Sequence, residues 1–98
     1  MKSSSKAIKN ACQVAFSKAC RVVSSNTLKE ISKQECSDAL FEIRTNISGL
    51  YQKADTKTAK GYIDTVVEYC DEHIQKLVKE WFNETQKANK DYPNISTN

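Results

Sequence analysis

Glycine and proline are nearly missing from this chain, with two glycines and one proline in 98 residues. Sandwiches, barrels and doubly wound sheets turn often and tightly, and these two residues make most such turns. Their scarcity points to helices. Other absences bear on function. No stretch approaches the roughly 18–20 apolar residues that a membrane-crossing helix needs. There is a single histidine and no paired Cys-x-x-Cys, so a structural zinc site lacks its ligands. No glycine-rich loop is present to cradle a phosphate. The opening residues are rich in Ser and Lys, and no apolar stretch of signal-peptide length follows them. The expected location is therefore cytoplasmic. All four cysteines, Cys12, Cys20, Cys36 and Cys70, fall among apolar helical positions, where reduced thiols act as small core residues.

Charge is unevenly placed. Residues 1–29 carry six basic side chains (Lys2, Lys6, Lys9, Lys18, Arg21 and Lys29) and no acid. The remainder holds nine basic and twelve acidic residues, so a basic first element precedes a mildly acidic body.

Hydrophobic periodicity supplies the architecture. From about Ser4 to Val23, Ile8, Ala11, Cys12, Ala15, Phe16, Ala19, Val22 and Val23 gather on one helical face. Ser24-Ser25-Asn26-Thr27 should then end that helix, because these side chains compete for backbone hydrogen bonds. Two capping boxes follow, Thr27-x-x-Glu30 and Ser32-x-x-Glu35. The second helix should run to about Gln52 on a seam of Cys36, Leu40, Ile43, Ile47 and Leu50. The third should begin near Thr56 or Thr58 and continue to about Thr85. Its stripe is Ala59, Ile63, Val66, Cys70, Ile74, Leu77 and Trp81. The fold expected is an all-α antiparallel three-helix bundle over residues 1–86, or a four-helix bundle if the long third helix breaks near His73. A polar tail occupies 87–98.

Unbroken, the third helix would be roughly 45 Å long against roughly 30 Å for the others, at 1.5 Å per residue. It must then overhang its neighbours and expose Leu77, Val78, Trp81 and Phe82. Cys70-x-x-His73 places a thiol and an imidazole one turn apart, but offers only half a zinc site. Glu68, Asp71 and Glu72 belong to the solvated side of the third helix and keep it soluble. No catalytic, metal-binding or cofactor-binding residue is assigned, and the chain is not read as an enzyme.

What remains is a protein whose surface does the work. Trp81 and Phe82 are the expected anchors, with Tyr62 and Tyr69 next, since large aromatics dominate binding hot spots. Lys6, Lys9, Lys18 and Arg21 would steer a partner electrostatically. In size, charge and helical make-up the chain resembles bacteriocin and toxin immunity proteins, a likeness of shape and composition carried by no motif. That resemblance implies an immunity or antitoxin-type inhibitor with a protein partner. The alternative is a basic-helix nucleic-acid-binding regulator of phage or plasmid type, reading through Lys6, Asn10, Gln13, Ser17 and Arg21. Peripheral membrane contact by the basic helix, and a homodimer through the third helix, are further expectations.

Overall fold

The computed structural model describes residues 5–90, with side chains through residue 85. Three α-helices account for nearly all of it: α1 (Ser5–Thr27), α2 (Lys33–Ser48) and α3 (Lys57–Lys90). A 3-10 segment, Gly49–Lys53, joins α2 to α3. The Ser5 and Thr56 hydroxyls lie 3.0 Å apart, so α1 and α3 start at the same end and α2 runs back against both. Each helix packs on the other two. The expected all-α three-helix bundle is the observed fold, and α3 passes His73 without a break, so no fourth α-helix forms among the described residues.

The core follows the apolar stripes. α1 contributes Ile8, Cys12, Ala15 and Ala19; α2 contributes Cys36, Leu40, Ile43 and Ile47; α3 contributes Ala59, Ile63, Val66, Cys70 and Leu77. Three of the four buried α1 residues are Ala or Cys, so α1 can lie close to its neighbours. The larger Leu40, Ile63 and Val66 fill the space between α2 and α3. Burying each of these larger side chains stabilises the fold by roughly 1.5–3 kcal/mol. Two cross-links hold the register of α2 against α3. Arg44 Nε donates to Asp71 Oδ1 at 2.6 Å, and Lys33 pairs with Glu84 and, at 3.7 Å, with Glu80.

Helix ends differ from the sequence expectation in informative ways. α1 does not stop at Val23 but continues through Ser24-Ser25-Asn26-Thr27. The Thr27 hydroxyl donates back to the Val23 carbonyl at 3.0 Å, and the Asn26 amide to the Ile31 carbonyl at 3.2 Å. These polar groups finish the helix instead of competing with it. The stop is a Schellman motif: Glu30 N–H reaches the Ser25 carbonyl (2.8 Å) and Lys29 N–H the Asn26 carbonyl (2.9 Å). Lys29 takes the left-handed position at φ 64°. Thr27-x-x-Glu30 is therefore no capping box, because both residues belong to a helix end. Ser32-x-x-Glu35 is one, with Glu35 N–H donating to Ser32 Oγ (3.1 Å) and Ser32 N–H to Glu35 Oε1 (2.9 Å).

The α-helical geometry of α2 ends at Ser48, short of Gln52, and tightens into the 3-10 segment. Thr56 starts α3 by accepting the Ala59 N–H on its hydroxyl at 3.1 Å. α3 extends to Lys90, so the first positions of the expected tail are helical; residues 91–98 lie outside the described residues. At 1.5 Å per residue, α3 is about 51 Å long, α1 about 35 Å and α2 about 24 Å.

Two substitutions test these ends. Lys29→Gly should raise stability by roughly 0.5–1 kcal/mol, because glycine occupies the left-handed position without a Cβ clash. Ser32→Ala should lower it by about 1 kcal/mol through loss of the cap. Urea denaturation reads both as shifts in midpoint at constant slope.

Candidate interaction surface

The mismatch in helix length creates an open end. Where Lys33 meets Glu80 and Glu84, α1 has finished at Thr27 and α2 is only beginning. Around that level α3 is flanked only by the end of α1 and the first turns of α2, and three of its apolar side chains are exposed: Val78 is 54%, Trp81 62% and Phe82 53% accessible. Beside them lies a groove of about 330 Å³ walled by Lys33, Gln34, Ser37, Leu77, Val78 and Trp81. One turn along α2 from Ser37 comes Phe41, 59% exposed, which continues the α2 wall. Sequence reasoning missed Phe41. Its only signal was a large aromatic standing off the Cys36–Leu40–Ile43 seam, where an amphipathic helix ordinarily places polar residues.

Trp81 and Phe82 are thus brought together, and the two tyrosines are set apart from them. Tyr69 is half-buried against α1, its ring 4.7 Å from Phe16 and 4.5 Å from the His73 imidazole. Burial, then a hydrogen bond with the Cys20 thiol, pushes its phenol up to about 12. Tyr62 is also half-buried, with Lys9 Nζ held 5.9 Å above its ring. Phe16, Tyr62, Cys12 and Lys9 border a second groove, about 430 Å³, between α1 and α3.

Lys6, Lys9, Lys18 and Arg21 are all exposed on α1, which carries no acid. Asn10, Gln13 and Ser17 are exposed with them. By contrast α2 and α3 expose Glu35, Asp38, Glu42, Asp64, Glu68 and Glu72. α1 is therefore basic over its solvent side, whereas the rest of the molecule carries both signs with a small acidic excess.

The four cysteines are free thiols, with Cys12, Cys36 and Cys70 buried and Cys20 half-buried. Burial first, then the neighbouring Asp71, pushes the Cys70 thiol up to about 11. It is therefore protonated at neutral pH and no nucleophile. Among the described residues no group of three or more His, Cys, Asp or Glu side chains is placed to hold a metal. No helix among them is long and apolar enough to cross a membrane.

The shifts in Tyr69 and Cys70 predict alkaline sensitivity. Both are acids whose neutral form is favoured by the fold, so the unfolded chain binds fewer protons between the unfolded and folded pKa values. Stability should be complete below about pH 9, then fall as Cys70 titrates from 9 towards about 11 and Tyr69 from 10 towards about 12. Thermal melts from pH 7 to 12 read the decline, and phenolate absorbance should show one tyrosine ionising late. Comparison with protein-family models, curated proteins and solved structures finds no match to this chain, so a functional reading has to come from the surface just described.

Proposed function

We propose that this chain is a protein–protein interaction module of the immunity or antitoxin type, which binds a toxin or bacteriocin in the cytoplasm and neutralises it by occlusion. The observation that carries the reading is the exposure of Val78 and Trp81 in the wall of a groove between α2 and α3, with Phe82 and Phe41 exposed on the same two helices. Exposing large apolar side chains together favours association over solubility, and such patches on small proteins mark docking surfaces. Trp81 and Phe82 act as anchors, because a rigid ring buries much surface at little cost in rotamer entropy. The α1 ridge of Lys6, Lys9, Lys18 and Arg21 raises the rate of encounter with an acidic partner surface. The half-buried Tyr62 and Tyr69 support the fold beneath that ridge.

A second reading rests on the ridge itself. Lys6, Asn10, Gln13, Ser17 and Arg21 are exposed on one acid-free helix, an arrangement that suits nucleic acid. Four cations on α1 give it a thin grip on phosphates, and the acidic body opposes it.

Calorimetric titration against a toxin partner recovered by pull-down should show one-to-one binding. Trp81→Ala should weaken it by at least about 2 kcal/mol, or roughly thirtyfold in Kd. Unchanged affinity removes Trp81 from the interface. A gel shift with DNA or RNA that fades steeply as salt rises would favour the second reading instead.

A further inference from the structure

The exposed end of α3 carries a stripe without charge. Ile74, Val78, Trp81, Phe82 and Thr85 follow one another at spacings that keep them on the flank nearest α2. Of the ionic residues of this segment, Glu80 and Glu84 border the stripe and are engaged by Lys33. At the inner end of the stripe, Asp71 is held by Arg44 at 2.6 Å. A two-fold contact lays a patch on its own copy, so any uncompensated charge within it meets its like. A neutral apolar stripe meets that requirement, whereas an ionic partner would call for charge of one sign at the same place.

The available area is of the right order. Large aromatic side chains carry roughly 150–250 Å² each, so at their observed exposures Trp81, Phe82 and Phe41 together with Val78 present roughly 450 Å² per copy. Two copies offer up to roughly 900 Å² from these anchors alone, close to the roughly 1,000 Å² a specific interface needs before the groove walls are counted. Phe82 is exposed and is not among the residues that wall its own groove, so its ring is available to fill one elsewhere.

We propose that the free protein pairs with a second copy of itself through this end, the two α3 helices crossing antiparallel near Val78 and Phe82, each Phe82 set into the groove walled by the other copy's Ser37, Val78 and Trp81. The pairing rests on the reading of this surface as a docking face and names its occupant in the absence of another partner. A toxin anchored on Trp81 must displace the second copy.

Analytical ultracentrifugation of the full chain across micromolar concentrations tests the pairing at about 0.05 M and about 0.5 M salt, the higher of which screens exposed ion pairs. The expected result is a monomer–dimer equilibrium that stops at two copies and is insensitive to salt. Emission from Trp81, the only tryptophan, should shift to shorter wavelength along the same concentration curve. Phe82→Ala should weaken the dimer at least tenfold while helical circular dichroism is unchanged, and Phe41→Ala should weaken it less. A monomer at every concentration overturns the proposal, as does a dimer indifferent to Phe82→Ala. So does open-ended growth abolished at high salt, which would assign the contact to basic α1 on the acidic body of the next copy. A monomer that still binds a toxin through Trp81 overturns the pairing and leaves the functional reading standing. A dimer whose toxin binding ignores Trp81→Ala does the reverse.

Discussion

The structure is governed by a mismatch of lengths. A 34-residue helix packs against helices of 23 and 16 residues, and its two neighbours cannot cover it to the end. Helices in water are held mainly by burying an amphipathic face, not by their intrinsic propensity. Over its first five turns or so α3 has such cover, and Ala59, Ile63, Val66 and Cys70 are fully enclosed. Leu77 is the last buried residue of the stripe, and one turn later Trp81, in the same register, is exposed. The apolar pattern outruns the scaffold that could bury it. This single geometric fact produces both the groove and the aromatic patch beside it.

Polar contacts set the alignment of this arrangement more than its stability. Arg44–Asp71 and Lys33 with Glu80 and Glu84 are partly exposed pairs, and such pairs contribute at most about 1 kcal/mol each. Their value lies in geometry. A slide of α2 by one turn would separate both sets and cover or uncover a turn of α3. The Lys33 contacts tie the first turn of α2, capped by Ser32 and Glu35, to the level where α3 emerges. The groove is thus bounded by a helix start fixed by a complete capping box.

Much of this was legible in the sequence. The 4-3-4 spacing from Ala59 to Leu77 reports burial directly, because helical period and packing face are the same physical signal. The overhang followed from counting residues at 1.5 Å each, but it begins later than expected: Val78, Trp81 and Phe82 are exposed, whereas Leu77 is buried. What escaped were features that depend on rivals for the same atoms. Thr27 and Glu30 have the spacing of a capping box, but the Thr27 hydroxyl is taken by the Val23 carbonyl and Glu30 N–H by that of Ser25. The turn at Lys29 is ordinarily a glycine position, so a lysine there gave no warning. Phe41 escaped because periodicity identifies residues that face a core and says nothing about an aromatic facing away from one. Tyr62 and Tyr69 shared a helix with Trp81, yet only the length of α1 separates tyrosines with a neighbour from a tryptophan without one.

The placement of charge constrains what the aromatic end can do. Were Trp81 and Phe82 ringed by the lysines of α1, one electrostatic field would both attract and seat a partner. The structure separates them: the last basic side chain of α1, Arg21, comes nearly two turns before the helix end at Thr27 that borders Leu77 and Glu80, and the stripe on α3 is neutral. Charge can then influence how often a partner arrives and from which side, while affinity depends on apolar burial that salt barely alters. On the proposed readings, such a division would let one small surface accept either a copy of itself or a larger partner without redesign of its ion pairs. Buried area would then decide the occupant, and a partner able to enclose Trp81, Phe82 and Phe41 together would outcompete a second copy that covers them across a single crossing of helices.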